Sequence, residues 1–180
     1  MTGCSLRRAA AIIACLLIAA QAHPQKEKRD PLTAPEIEEI RQAGIDPNGR
    51  VSIYSRILNE HAEKIKGLTN RAKSEARGLR LDSELRNFTA LMDELGSNLD
   101  TYSDRKADIR KALKPLSEAS QHWLVLLRAL AGEPAFDLSR KEAIESAEDL
   151  ADEVTRLANE QTEYFNLHKD QQGQDRAEPR

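Results

Sequence analysis

Asp100, Asp104 and Asp108 stand four residues apart in "DTYSDRKADIRK". On a helix that spacing puts three carboxylates in one ladder, which Asp93 and Ser97 extend backwards. Carboxylates are the ligands of hard cations such as calcium and magnesium, provided that several oxygens converge on one point. A straight ladder spreads them along the helix axis instead. It is also interleaved with Arg105, Lys106, Arg110 and Lys111, and Asp108 can reach Lys111 one turn on. The leading expectation is therefore a solvated face with no bound metal. The alternative is a cation site to which a second helix adds Glu145, Asp149 and Asp152.

Other groups with chemical potential are sparse. His61 lies on an apolar stripe with no His or Cys four residues away, so a histidine at the core's edge is expected rather than a metal or haem ligand. Glu118 and His122, four apart, suit a structural carboxylate–imidazole pair. His168 stands at the end of the last helix, where a cation suits the helix dipole. Lys64, Lys66, Arg71, Lys73, Arg77 and Arg80 form a basic run broken only by Glu75. Glu142, Glu145, Glu148, Asp149, Asp152 and Glu153 form an acidic one at a helix start. Both runs are placed as the macrodipole favours, which weakens an anion-binding reading of the basic run. No nucleophile elbow, glycine-rich phosphate loop or HExxH pattern is present. The sequence therefore points to no enzyme and no cofactor.

Composition narrows the partners and the compartment. Residues 1–22 read as a secretory signal: Arg7 and Arg8, an apolar run from Ala9 to Ala20, then Ala20-Gln21-Ala22, with cleavage after Ala22. The apolar run is shorter than the ~20 residues of a membrane span. Two other leaders fit less well. A lipoprotein anchored at Cys15 is disfavoured because the apolar run continues past it. A twin-arginine signal lacks the residues that flank the arginine pair. A periplasmic or secreted location follows. Both cysteines, Cys4 and Cys15, belong to the leader, so the mature chain has no disulfide or thiolate site. Without Arg7 and Arg8 the remaining 158 residues carry 25 basic against 30 acidic side chains, moving the net charge from −3 to −5. That mildly acidic balance argues against nucleic acid.

The elements that position these groups are all helical. Residues 23–32 and 169–180 read as disordered, and 33–168 as one domain. Thr33, Pro35 and Glu36 open a short first helix with a capping box, and Gly44 stops it. "IDPNGR" reads as a turn, and a second helix is expected from about Val51 to Arg77, ended by Gly78. A third helix, capped by Asp82 or Ser83, carries the strongest pattern. Leu85, Phe88, Met92, Leu95, Leu99, Tyr102, Lys106, Ile109, Leu113 and Leu116 recur at spacings of three and four. Ser120, Trp123, Leu127 and Leu130 continue the series beyond Pro115. A kink at Pro115 in one continuous helix explains the held phase, and a turn there is the alternative. Leu138-Ser139-Arg140-Lys141-Glu142 opens the last helix with a second capping box, and its small residues allow close helix approach. The expected fold is all-α: an elongated bundle of three or four long helices plus the short first one. Such a bundle covers its own stripes, so a monomer is expected.

The two segments Leu32-Thr33-Ala34-Pro35-Glu36 and Leu138-Ser139-Arg140-Lys141-Glu142 resemble the paired motif of the periplasmic LTxxQ-motif stress proteins. Both copies here carry Glu in place of Gln, and the second carries Ser in place of Thr. The resemblance implies a small helical envelope chaperone or cation sensor. The stretch "DPLTAPEIEEIRQAGIDPNGRVSIY" is also similar to the opening of uncharacterised exported bacterial helical proteins. The leading functional expectation is a non-enzymatic envelope protein that contacts other envelope proteins.

Overall fold

A computed structural model describes residues 31–173; the expected leader, most of the expected linker and residues 174–180 lie outside them. All regular structure among the described residues is helical. The helices are α1 (Ala34–Gln42), α2 (Pro47–Thr69), α3 (Glu75–Asp104), α4 (Arg110–Ala129) and α5 (Asp137–Leu167), with a 3-10 turn at Lys169–Gln171. At 1.5 Å per residue the 30 residues of α3 span about 45 Å.

The four long helices run up, down, up and down. Contacts at Tyr54–Glu94, His61–Glu84 and Leu68–Arg77 make α2 and α3 antiparallel. Arg128–Glu148 and Ile109–Gln161 do the same for α4 and α5. Each of these hairpins contributes half of the core. Between the hairpins, α2 packs on α4 and α3 on α5, whereas α3 and α4 lie on the bundle diagonal. The connection 105–109 therefore crosses the bundle's end. The diagonal is filled at its centre by Phe88 and Trp123, which meet edge to face at 5.9 Å. The short α1 packs on α2 alone among the helices.

The heptad residues are core. From Leu85 to Leu130 every position of the series is buried except Lys106. Burying each such Leu stabilises the fold by about 1.5–3 kcal/mol. Yet the series does not form one helix. The chain breaks at 105–109, upstream of Pro115, and Pro115 lies inside α4. The break has a specific chemistry. Ala107 N–H bonds Tyr102 O and Lys106 N–H bonds Ser103 O, the paired bonds of a Schellman stop. The left-handed residue of that stop is Lys106, at φ 55°. A glycine is usual there, because a Cβ in this conformation costs about 1–2 kcal/mol.

Three expected boundaries also move. "IDPNGR" is a helix start rather than a turn: Asp46 caps α2 by accepting from Asn48 N–H at 3.0 Å, and Pro47 takes the first position. The second helix ends at Thr69, and Ser74 caps α3 by accepting from Arg77 N–H at 3.2 Å. Gly78, Asp82 and Ser83 are then interior to α3. Gly78 is there for space, since a Cβ would stand 2.8 Å from the Cβ of Ala135. The first capping box forms, with Thr33 N–H on Glu36 Oε2 at 2.6 Å, and Gly44 takes φ 58° beyond α1. The second does not. α5 begins at Asp137, so Ser139 falls inside the first turn, buried, with its hydroxyl on Phe136 O at 3.0 Å. Residues 169–173, expected in the tail, fold back: Gln171 accepts from Tyr164 Oη, and Gly173 N–H reaches Asp108.

Candidate functional site

The helix break decides the fate of the aspartate ladder. α3 ends at Asp104, so only Asp93, Ser97, Asp100 and Asp104 share its face. Asp108 sits in the corner. It accepts two bonds from the Arg110 guanidinium at 2.9 and 2.7 Å and one from Gly173 N–H at 2.9 Å. Arg110 above all, aided by Gly173, holds the Asp108 carboxyl below its usual range. Its charge is thus already matched. The three aspartates do not converge, and among the described residues no group of three or more His, Asp and Glu side chains is arranged to hold a metal ion.

What the fold builds in place of the ladder is a groove between α3 and α5. The helices run parallel, and Ala143, Ala147 and Ala151 are buried on the inner side of α5. Met92 and Leu150 form the floor, Gly96, Ser97 and Ser146 the small walls, and Asp93, Asp100, Asp149 and Glu153 the acidic rim, around about 380 Å³. Asp93 accepts from the Ser146 hydroxyl at 2.7 Å. Glu153 is bridged to Glu160 by the fork of Arg156, whose own charge these carboxylates stabilise. Asp100 and Asp149 take part in no ion pair among the described residues. Of the acids expected from the last helix, Asp149 reaches this groove and Glu145 and Asp152 do not line it.

Most of the remaining candidates make contacts within the bundle, and the expected Glu118–His122 pair does not form. His61 is 4% exposed, and its Nδ1 lies 2.7 Å from Glu84 Oε1, with Lys64 Nζ 3.9 Å from the same oxygen. Glu84 on α3 was not legible as its partner, because nothing local in the sequence aligns position 61 with 84. Glu118 and His122 are both exposed and form no ion pair. His168 stacks on Tyr164 at 4.2 Å and its Nδ1 meets Tyr164 O, closing the end of α5. The basic run is largely consumed by internal contacts. Arg77, 8% exposed, forks Glu133 in the α4–α5 connection at 3.0–3.2 Å and donates Nε to Leu68 O at 3.1 Å. Lys73 adds 3.3 Å to the same carboxylate. Arg77 and then Lys73 hold Glu133 below its usual range.

Two amides missed as functional atoms hold the opposite end. Gln161 spans Ala107 O at 2.9 Å and Ile109 N at 3.0 Å. Asn48 spans Asp108 O at 2.8 Å and Ala112 N at 3.1 Å. Each side chain uses donor and acceptor together on backbone groups around the helix break, and Ala112 N–H is shared between Asn48 and Ile109 O at 2.9 Å.

No family model, curated protein or solved structure matches this chain.

Proposed function

We propose that the chain is an exported, non-enzymatic helical protein that makes protein–protein contacts in the cell envelope or periplasm, with the α3–α5 face as its contact surface. One observation carries this reading: the apolar stripes of all four long helices are buried against one another. A chaperone for unfolded clients needs an exposed apolar face. Among the described residues the large apolar side chains that remain exposed are Ile45, Leu79, Val125, Leu138 and Leu167, mostly at element ends. The exterior is left to charge. On the α3–α5 groove, Asp100 and Asp149 offer carboxylates that take part in no ion pair among the described residues, so the partner surface is basic and the contact is weakened by salt.

The leader ending at Ala22 supplies export, and the self-covered core supplies a monomer. The LTxxQ-like reading keeps one point in its favour, the capping box at Thr33 and Glu36. Two measurements separate the readings. A photo-crosslinker replacing Asp100 or Asp149 should trap a discrete basic envelope partner in cells, and one replacing Val125 on α4 should not. Equimolar protein should leave the aggregation of a reduced, unfolding client unchanged. Suppressed aggregation with no salt-sensitive crosslink would overturn the contact reading in favour of the chaperone.

A further inference from the structure

The corner between α3 and α4 is where sequence pattern and fold disagree. The heptad runs in one phase from Leu85 to Leu130, with Lys106 occupying the seam position at the corner. A stripe held in phase is what one continuous helix needs, since two helices joined by a turn can each begin their own. The corner also carries the strain: Lys106 is the single non-glycine residue with positive φ among the described residues.

The two amides at the corner occupy the places of helix bonds. In a continuous helix Ala112 N–H would bond Asp108 O. Here the Asn48 amide stands between those two groups, donating to one and accepting from the other. Ala107 O and Ile109 N–H would likewise have helical partners at Lys111 and Arg105, and Gln161 takes both instead. Withdrawing Asn48 and Gln161 therefore leaves each of these groups a helical partner four residues away, with Ala112 N–H, which now also donates to Ile109 O, moving to Asp108 O. Pro115 is no obstacle, because α4 already contains it.

We propose that residues 105–109 are a hinge, and that opening it joins α3 and α4 into one helix and yields a domain-swapped dimer with a second copy of this chain. The merged helix, 75–129, is roughly 80 Å long. Each α4–α5 hairpin leaves its own α2–α3 hairpin and packs on the partner's. The contacts between hairpins are remade between copies, including Phe88 on Trp123, Asn59 on Trp123 and Arg77 on Glu133. What differs is the corner alone: left-handed Lys106 becomes helical, and the Asn48 and Gln161 latches are released. A short strained connection between two halves of a core is the usual setting for such an exchange.

The test uses the full chain with Cys4→Ser and Cys15→Ser. Asp93→Cys and Ser146→Cys are added where Asp93 Oδ1 and Ser146 Oγ now lie 2.7 Å apart. Lys106→Leu disfavours the left-handed corner and suits the seam. It should shift the light-scattering mass from one chain to two, and oxidation should then link chain to chain. Lys106→Gly relaxes the corner and should keep one chain with the disulfide within it. In the unsubstituted corner, refolding from urea at high concentration should leave a dimer fraction at least about tenfold above that of Lys106→Gly, since one left-handed side chain is relieved in each of the two chains. The proposal fails if Lys106→Leu remains a single chain, or if its dimer carries the disulfide within each chain. Equal dimer fractions on refolding overturn it as well, whether or not Lys106→Leu folds.

Discussion

The two ends of the bundle are closed by opposite chemistry. At one end a charged clamp, Arg77 with Glu133 and Lys73, ties the α2–α3 connection to the α4–α5 connection. At the other, the neutral amides of Asn48 and Gln161 hold the diagonal α3–α4 corner. Both join the same two hairpins. The clamp is chiefly an ion pair, with Arg77 also donating to the Leu68 carbonyl at the end of α2, and Glu133 stays 19% exposed. The amides satisfy backbone groups at a break beside Ala107 and Ile109, which are wholly buried. The comparison teaches that an end is secured by whatever its backbone leaves open. At the clamp end Ser74 caps the start of α3 and Arg77 itself takes the Leu68 carbonyl, so an ion pair suffices, whereas the interrupted helix needs donors and acceptors in fixed pairs.

The largest effect should come from the amide end. Gln161→Leu keeps the volume but leaves Ile109 N–H and Ala107 C=O buried without their partner. A loss of about 3 kcal/mol is expected, from roughly 1–3 kcal/mol for each abandoned group. Urea denaturation at low protein concentration, where chains do not exchange, measures it. A loss below about 1 kcal/mol would mean that the corner does not depend on this side chain.

Next comes the clamp. Arg77→Met retains the stem and removes the fork, leaving Leu68 O and part of Glu133 unmatched. About 2 kcal/mol is expected, below the cost of breaking a fully buried pair because Lys73 and solvent still reach Glu133. The corresponding melt of Lys73→Met should differ little from the parent, since Lys73 is 77% exposed.

Acid sharpens the contrast. The folded Glu133 carboxyl sits below its ordinary value of 4.5, chiefly through Arg77. The stability this contributes is full above 4.5 and is lost as pH falls through the lower folded value. Stability against urea should therefore fall as pH drops below Glu133's ordinary value of 4.5 and through its lower folded value, and Glu133→Gln should flatten part of that fall. Asp108, also held low, adds to the fall by releasing Arg110 and Gly173. The Asn48 and Gln161 contacts do not titrate, so a Gln161→Leu variant should show the parent's pH slope on a lower baseline.

Two smaller effects remain. Lys106→Gly should raise stability by about 1 kcal/mol, because glycine accepts φ 55° without a Cβ clash. Millimolar calcium or magnesium should leave the melting temperature of parent and Asp104→Asn alike. A saturable rise in the parent that Asp104→Asn removes would restore a cation role to the α3 carboxylates.

Residue type and spacing alone determined that this chain is helical and that the heptad residues from Leu85 to Leu130, Lys106 apart, face its core. Those are local properties: a period of three and four residues names one face of a helix wherever that helix lies. The capping box at Thr33 and Glu36 and the stop at Gly44 were legible for the same reason, each needing only neighbours within one turn. The tertiary structure decided the rest. Gly78 looked like a helix end and proved to be room for Ala135, a residue 57 positions away. Arg77 looked like part of a solvated basic run and proved to be buried against Glu133. The heptad named Lys106 as a seam residue of one long helix, yet the chain turns there. Burying both halves of the stripe within a single chain requires α4 to fold back toward α3, and no local period encodes that return. Pairings such as His61 with Glu84, or Gln161 with the corner, depend on how far each helix is rotated and shifted against the next. Those rotations are fixed only when four stripes close on a shared core.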